Sequence, residues 1–358
     1  MEACELLRAH TSIREYKDVI LPILYIRLME SDFNKNKKYA IEKTSFFYLF
    51  EKRYEPDFRK IFIKALSLLE NDNNCLNDSF YTTIFYLRSN DPEINIILAK
   101  IFEIFSIIPE NITLIDPDVR FEDDIFLNAI QLLSKNDRAR AEYFTPIEVC
   151  SLVARILSPQ GGDRIYDPAC GSGTLLLACA AEADKSSEVP CELFGFEKNA
   201  STWSLAAINL YLHGFRNAAF QNDSLRYFEK NESLHPQHFD IAVSCPPWSI
   251  KNWGYEEFSR RIYYKDDIYQ VLPPKSNGDY AFMLELLEKL SNKGKGAIIL
   301  PTGALSRGGA EQRIRERITS LNYVEAIINL PKKSFHHTNI DTSIIPVSYT
   351  HLTLPTKA

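Results

Sequence analysis

Short apolar runs alternate with amphipathic helical stretches from about residue 141 onward, and no other feature restricts the possible folds of this chain as strongly. The runs that we interpret as buried strands are Arg164–Tyr166, Leu193–Phe196, Phe239–Ser244, Ala297–Leu300 and Tyr323–Leu330. Strands that alternate with helices form parallel sheets with crossover helices. The alternation therefore predicts an α/β fold with a doubly wound, mostly parallel sheet.

The first 140 residues follow a different pattern. Apolar runs such as Ile20–Ile26 and Ile97–Phe105 recur there without the alternation of a strand, which indicates helices. The polar and charged stretch Ser134–Arg140 has the composition of a linker. At 358 residues the chain exceeds the size at which one core stops growing, about 250 to 300 residues. We expect an all-helical domain over residues 1–140 and an α/β domain over residues 141–346.

The last twelve residues break this rhythm. Residues 347–358 contain no helical run to follow the apolar pair Ile344-Ile345. We therefore expect an anomalous tail at 347–358, with the C-terminal region truncated.

Charge and cysteine content limit the class of protein. A net charge of −6 argues against binding to nucleic acid through a global positive field, so contact with DNA would need local patches or a partner. The seven cysteines show no C-x-x-C pair, so neither a metal site nor a disulfide framework is expected. No apolar stretch approaches the ~18 residues of a membrane span. We expect a cytoplasmic protein with reduced thiols, no metal and no membrane partner.

A glycine-rich run lies between a predicted strand and a predicted helix. It reads Asp167-Pro168-Ala169-Cys170-Gly171-Ser172-Gly173-Thr174. Glycines there let a ligand approach the backbone closely, and the following helix offers free N–H groups. Leu176 replaces the third glycine of the dinucleotide pattern, which counts against NAD or FAD. We predict that Asp167, Ala169, Gly171 and Gly173 bind a cofactor.

Further candidate binding residues lie at the ends of neighbouring elements. Glu197 follows a strand, where a carboxylate can accept from ribose hydroxyls or cap the next helix. Asp223 lies where a third strand would end, as an acceptor for an adenine amine or as a turn residue. Phe144 precedes a predicted helix start with Thr145 as N-cap, Pro146 at the first helical position and Glu148 closing a capping box. Together these positions predict a nucleoside ligand without phosphate, such as S-adenosylmethionine.

A second signal is the run Asp240-Ile241-Ala242-Val243-Ser244-Cys245-Pro246-Pro247-Trp248. Two prolines stop the strand and leave carbonyl oxygens without neighbouring donors, an arrangement suited to a planar amine. Trp248 could stack on a flipped base or pack in the core. We predict that Cys245, Pro246, Pro247 and Trp248 form the catalytic segment.

These motifs together resemble the modification subunits of type I restriction-modification systems, within the N6-adenine DNA methyltransferases. The resemblance also includes the runs Gly278–Phe282 and Leu300–Gly309. It implies a Rossmann-like methyltransferase domain in which Phe144 and Thr145 border the methionine end of S-adenosylmethionine. Asp167, Gly171 and Gly173 would hold its amino-acid part, Glu197 its ribose and Asp223 its adenine.

The resemblance also implies partners. Modification subunits of this family act on double-stranded DNA with a specificity subunit, a second modification subunit and, for cleavage, a restriction subunit. The acidic net charge agrees with delegated recognition of DNA. In this family the chain continues past Ile344-Ile345 into a further strand and C-terminal helices, and the resemblance leads us to expect that these are missing or replaced here.

Cys245 departs from the family pattern, in which Asn, Asp or Ser precedes the two prolines. A protonated thiol is a poor hydrogen-bond acceptor. Either the Pro246 carbonyl acts alone, or Ser244 substitutes, or the chain is a weakened or inactive homologue that scaffolds a DNA-binding complex. N4-cytosine methylation is the nearer enzymatic alternative. C5-cytosine methylation and methylation of a protein or RNA amine fit the motifs less well.

One loop is a candidate for DNA contact. The segment Ile250–Asn277 carries Trp253, Tyr255, Tyr263, Tyr264 and Lys265. These side chains either close on DNA or pack on the protein surface.

Overall fold

The computed structural model describes residues 2–8, 16–35, 42–73, 76, 78–88, 93–109, 120–136, 144–184, 189–215, 219–221, 238–261, 271–336 and 338–348. The chain forms two compact units. One consists of Met1–Asn136 with Ala200–Arg216, and the other of Asp137–Asn199 with Asn217–Ala358.

The described part of Met1–Asn136 is helical. Its helices are α1 (Glu2–Arg8), α2 (Tyr16–Lys35), α3 (Phe46–Lys52), α4 (Phe58–Asp72), α5 (Tyr81–Leu87), α6 (Ile94–Ser106) and α7 (Ile125–Asn136). Phe46, Phe58, Phe62 and Phe102 are buried together, with Phe102 at ring-centroid distances of 5.2, 5.3 and 5.5 Å from the other three. The described residues of this region are thus helical, and the predicted boundary at residue 140 lies outside the described residues. Of the predicted linker, Ser134–Asn136 belong to α7 and the remainder lies outside the described residues.

The rest of the chain supplies the sheet and further helices. The helices are α8 (Ile147–Leu157), α9 (Thr174–Asp184), α10 (Ala200–Leu212), α11 (Tyr255–Arg261), α12 (Asp279–Lys289) and α13 (Ala310–Ser320). The strands are β1 (Arg164–Asp167), β2 (Glu192–Phe196), β3 (Ala219–Gln221), β4 (Phe239–Ser244), β5 (Leu290–Pro301), β6 (Ile328–Asn329) and β7 (Thr342–Ser348).

These strands form one mostly parallel sheet in the order β3-β2-β1-β4-β5-β7-β6. The five strands β3-β2-β1-β4-β5 pair in parallel with their neighbours. Strand β7 runs antiparallel to both β5 and β6. The predicted α/β fold with a mostly parallel sheet is confirmed. The strand order reverses at β1, which has β2 on one side and β4 on the other. Ligands of such sheets bind at this reversal, beyond the carboxyl ends of the strands.

The end of the sheet differs from the sequence prediction in two places. The stretch Tyr323–Leu330 forms only the short strand β6 and an isolated bridge between Val324 and Val347. Val347 and Ser348, assigned to the tail from sequence, are the last residues of β7 and pair with β5. Residues 349–358 lie outside the described residues.

Helix α10 lies between β2 and β3 in the chain but belongs to the helical unit. Its Ser201 hydroxyl donates to the Asp18 carboxylate at 2.7 Å, and the Tyr211 hydroxyl donates to the Asn73 side-chain oxygen at 2.6 Å. Nearly every residue of the helix is buried. A helix enclosed on all sides shows little amphipathic periodicity, so the sequence pattern alone does not reveal which unit it joins.

Over the described part of the chain, no helix combines the length and apolar character that a bilayer crossing requires.

Candidate functional site

A cleft of about 610 Å³ lies at the reversal point of the sheet. Its lining comes from the segments that follow β1, β2 and β4, from Thr145 before α8 and from α12. The lining residues are Thr145, Asp167, Ala169, Cys170, Gly171, Leu175, Phe196, Glu197, Lys198, Asn199, Cys245, Pro247, Ile250, Lys251, Asn252, Trp253 and Phe282. The cleft thus joins segments separated by more than 100 residues of sequence.

The glycine-rich loop connects β1 to α9. Gly171 and Gly173 have φ values of +56° and +77°, a region that residues with a side chain rarely adopt. The Cys170 N–H donates to the Phe196 carbonyl at 2.8 Å, which fixes the loop to the end of β2. Ala169 and Gly171 line the cleft, whereas the described lining leaves out Gly173.

Asp167, the last residue of β1, is buried with 1% exposure and lines the cleft. One carboxylate oxygen, Oδ1, accepts from the Ala169 N–H at 2.9 Å and from the Ser244 hydroxyl at 3.0 Å. Burial raises the pKa of Asp167 to about 7, against the opposing effect of these two hydrogen bonds; the nearby Glu197 charge raises it further. Asp167 is therefore poised to change its charge when a cation binds beside it.

Glu197 follows β2 directly and is 6% exposed in the wall of the cleft. Its Oε1 accepts from the Asn199 N–H at 2.7 Å, just before α10 begins at Ala200. The side chain therefore makes the local contact of a capping residue and also faces the cleft. Asp223, the predicted adenine contact, lies outside the described residues.

The predicted start of α8 is wrong by one residue. The N-cap is Pro146, with φ −56° and ψ 139°, and no side chain caps the helix. The Pro146 carbonyl instead accepts from the N–H groups of Val149 and Cys150, both at 3.0 Å. Thr145 does not cap the helix as predicted; it lines the cleft, and its side chain lowers the pKa of Cys245. Phe144 is half-buried beside it and lies outside the described lining.

Cys245 follows the last residue of β4 and lines the cleft with Pro247. Burial raises the pKa of the Cys245 thiol to about 12 despite the hydrogen bond from Thr145, and the Asp167 charge raises it further. The thiol is therefore protonated at neutral pH. Ser244 is fully buried, donates to Asp167 and lies outside the described lining, so its hydroxyl oxygen does not face the cleft as Cys245 does.

Trp248 is held by β5. Its indole N–H donates to the Ile299 carbonyl at 3.1 Å, and its ring meets Phe335 edge-on at a centroid distance of 4.9 Å. Pro246 is buried, and the described lining includes neither Pro246 nor Trp248. The structure thus brings Cys245 and Pro247 to the cleft, whereas Trp248 packs against β5 and Phe335 outside the described lining.

Sequence reasoning missed the segment that follows Trp248 as part of the cleft. Ile250, Lys251, Asn252 and Trp253 line it, although the loop was considered only for DNA contact. Trp253 is 3% exposed and donates from its indole N–H to the Pro274 carbonyl at 3.1 Å, so it is a core residue. Of the other predicted DNA-contacting residues, Tyr263, Tyr264 and Lys265 lie outside the described residues.

Phe282 was also missed as a lining residue. It belongs to the run Gly278–Phe282, which the sequence marked as a motif without a role. The signal was therefore present, but its meaning depends on tertiary contacts that no local pattern contains.

A family model and several known proteins are similar to this chain. Residues 124–351 match the family model described as N-6 DNA Methylase. The methylase subunit of the type I restriction enzyme MpnII from Mycoplasma pneumoniae is 34% identical over 235 residues, which are 62% of this chain and 43% of that protein. The MjaVII methylase subunit from Methanocaldococcus jannaschii is 33% identical over 204 residues, which are 55% of this chain and 34% of that protein. The chain spans less than half the length of these two relatives.

Solved structures share the fold. The methyltransferase subunit of a type I restriction-modification system from Streptococcus thermophilus superimposes with a TM-score of 0.79 at 22% identity, covering 98% of this chain and 84% of that chain. A structure described as a class I S-adenosylmethionine-dependent methyltransferase from Listeria monocytogenes gives 0.56 at 16% identity, covering 89% and 92% of the two chains. At these identities the likeness concerns the fold alone.

Proposed function

Since the chain belongs to the N-6 DNA Methylase family, we propose that it transfers a methyl group from S-adenosylmethionine to the N6 amine of adenine in DNA. The observation that carries the proposal is the cleft at the reversal of the sheet. It joins the glycine-rich loop after β1, the Glu197 carboxylate after β2 and the Cys245-Pro246-Pro247 turn after β4. A cofactor and a target amine would meet there.

The residues of the cleft fit S-adenosylmethionine. Asp167 offers a carboxylate for the ammonium group, and Glu197 offers one for the ribose hydroxyls. Leu175, Phe196 and Ile250 supply an apolar wall for the adenine ring. When bound, the cofactor supplies an electrophilic methyl group on a sulfonium. The residues of the chain would bind and orient the reactants and exclude water, without forming a covalent bond to the base.

The catalytic part of the proposal rests on the Cys245–Trp248 segment. Pro246 lies outside the described lining between two residues that belong to it, so the proposal requires its carbonyl to become accessible when the base binds. The carbonyl would then accept a hydrogen bond from the target amine and so reduce the conjugation of the amine lone pair with the ring. Cys245 replaces the oxygen acceptor of the family pattern with a protonated thiol, which accepts poorly. Ser244 does not substitute for it in this geometry, since its side chain is fully buried and lies outside the described lining of the cleft. We therefore expect slow transfer.

The thiol at position 245 favours a second candidate function. A chain that binds S-adenosylmethionine but lacks a good acceptor at Cys245 could serve as a scaffold in a DNA-binding complex. The two functions share the cofactor cleft and differ only in turnover. Methyl transfer to DNA separates them.

The relatives are named as subunits, and we extend this to the chain as a proposal. We propose that it acts on double-stranded DNA together with a specificity subunit, a second modification subunit and a restriction subunit. The acidic net charge of −6 supports delegated recognition of DNA, because it leaves no global positive field for phosphate binding.

Calorimetry with S-adenosylmethionine measures cofactor binding and so tests the proposal. Asp167→Asn keeps an oxygen for the Ala169 and Ser244 hydrogen bonds and removes only the charge. We expect binding about 10- to 100-fold weaker than in the wild-type chain. Asp163→Asn, just before the opposite end of β1, is the matched control; its side-chain oxygen can still accept from the Gln160 N–H, and binding should not change. No binding by the wild-type chain would refute both candidate functions.

A further inference from the structure

The loop that follows Trp248 is fastened to the start of α12 by backbone contacts. The Gly278 N–H donates to the Ile250 carbonyl at 3.0 Å. Gly278 also packs against the Trp253 ring so closely that a Cβ at this position would lie 2.7 Å from the Trp253 Cβ. The loop carries Ile250, Lys251, Asn252 and Trp253 of the cleft wall, so these contacts fix part of the cleft.

Asp279 makes the remaining contact with the loop. Its Oδ1 accepts from the Ser249 N–H at 2.6 Å. Ser249 has φ +55°, a left-handed conformation that costs a non-glycine residue free energy and persists when neighbouring contacts hold it. Asp279 thus stabilises an unfavourable turn directly after the Pro-Pro-Trp segment.

The carboxylate of Asp279 is itself rigidly placed. It is fully buried, and its Oδ2 accepts from the Arg307 guanidinium at 2.8 Å. Arg307 also contacts Glu311 at 2.8 Å. Arg315 donates to the carbonyl groups of Ala304 and Arg307, which anchors the backbone that presents Arg307. Each oxygen of Asp279 therefore has a defined partner on a different segment.

A helix-capping role does not explain this arrangement. The N-cap of α12 is Gly278, without a side-chain hydrogen bond, and the Asp279 carboxylate reaches Ser249, thirty positions earlier in the chain. An aspartate that only stabilised the first turn of its helix would need no such contact. The buried ion pair with Arg307 also requires the carboxylate to be charged, which strengthens its hydrogen bond to Ser249.

We propose that Asp279 is a positioning residue: it holds the Ser249–Trp253 loop so that Pro247 and Ile250 keep their places in the cleft wall. The proposal rests on the proposed function for its consequence in catalysis, because the loop continues the segment that would meet the target amine. Asp279 itself lies outside the cleft lining and acts through Ser249.

Hydrogen exchange at the Ser249 amide tests the contact directly. A peptide spanning residues 246–252 has few exchangeable amides, since Pro246 and Pro247 have none. In Asp279→Ala we expect the Ser249 amide to exchange about 10- to 100-fold faster than in the wild-type chain, because it loses a charged acceptor. Asp279→Asn retains an oxygen acceptor and should fall between the two.

Glu311→Gln is the matched control. It removes the other carboxylate partner of Arg307 but leaves the contact with Ser249, so exchange in the loop should match the wild-type chain. Should Asp279→Ala fail to fold, exchange at Ser249 is compared between Asp279→Asn and the wild-type chain. Exchange at Ser249 that is as slow in both Asp279 variants as in the wild-type chain would overturn the proposal.

Methyl transfer by the full complex provides the second readout. We expect Asp279→Ala to lower kcat by about 100-fold, as a misplacement of about 1 Å can do, with KM for S-adenosylmethionine changed less. Partial rescue by Asp279→Asn would support positioning. An unchanged kcat in Asp279→Ala would overturn it. If the wild-type complex transfers no methyl group, the proposed function fails, whereas the exchange result still decides whether Asp279 holds the loop.

Discussion

At the scale of single residues, Cys245 occupies the position that we propose meets the target amine. The family pattern has an oxygen-bearing side chain at this position, and here burial keeps the thiol protonated. The sequence revealed the departure, but the structure adds that Ser244 is fully buried outside the described lining of the cleft, where it donates to Asp167. The local compensation considered from sequence, a substitution by Ser244, is therefore absent from this geometry.

Replacing Cys245 with asparagine should accelerate methyl transfer. The amide oxygen of Cys245→Asn would accept from the target amine, and one well-aimed polar group contributes about 10²-fold to a rate. Single-turnover kinetics with labelled S-adenosylmethionine measure the change. Cys245→Ala, which adds no acceptor, is the control and should be no faster than the wild-type chain. Equal rates for the asparagine and alanine variants would show that this position does not limit transfer.

The contact between Ser244 and Asp167 should appear in the pH dependence of cofactor binding. The pKa of Asp167 is raised to about 7, and the Ser244 hydroxyl opposes that rise by favouring the charged carboxylate. Below its pKa the neutral acid loses its attraction for an ammonium group, so affinity should fall as pH decreases through 7. Ser244→Ala should raise the pKa further and move this loss to higher pH.

Calorimetry between pH 6 and 8 measures the effect, and the difference between the two proteins is the decisive quantity. The amine of S-adenosylmethionine titrates identically in both measurements, so it cancels. Identical pH profiles for the wild-type chain and Ser244→Ala would contradict the expected effect of the Ser244 hydroxyl on the Asp167 carboxylate.

At the scale of elements, the sequence predicted the central strands closely and the edge of the sheet poorly. The predicted strand Phe239–Ser244 is β4 itself, and β1 and β2 each differ from prediction by one residue. Each of these strands has a buried, mostly apolar centre. The strand β5 begins seven residues earlier than predicted, because its first half contains polar residues and glycines. Its pairing with β4 shows the corresponding irregularity.

The strand β7 was missed for a different reason. Its pairing partners are β5 and β6, in antiparallel register, and it carries Pro346 within the strand. A proline within an apolar run argues against a strand when only the sequence is considered.

The start of α8 also differs from its sequence pattern. Thr145 has the residue type of an N-cap, but Pro146 is the N-cap and Thr145 lines the cleft.

The junction between the loop and α12 can be tested through Gly278. A Cβ at this position would lie 2.7 Å from the Trp253 Cβ and 2.8 Å from its Cγ, and Trp253 is buried. Gly278→Ala should therefore lower the free energy of unfolding by about 1 to 3 kcal/mol, the typical cost of overpacking. Denaturant unfolding followed by tryptophan fluorescence measures it.

Gly303→Ala is the control for this substitution. Its added Cβ would have no neighbour within 4 Å, so stability should change by less than about 0.5 kcal/mol. Equal effects of the two substitutions would mean that the close packing of Gly278 on Trp253 does not stabilise the loop.

At the scale of the whole molecule, the sequence predicted a helical region followed by an α/β region, and both are present. It did not predict that α10 would join the helical unit, because that assignment depends on contacts such as the one between Tyr211 and Asn73. The candidate site was predictable where polar residues follow parallel strands. It was not predictable where distant segments complete the cleft, as Phe282 does.

The most direct measurement of the central claim is the identity of the base that receives the methyl group. DNA incubated with labelled S-adenosylmethionine, the chain or its Cys245→Asn variant, and a specificity subunit would be digested to nucleosides and separated. We predict label in N6-methyladenine, at a low level with the wild-type chain and a higher level with the variant. Label in N4-methylcytosine, or no label with either protein while both bind the cofactor, would contradict the claim.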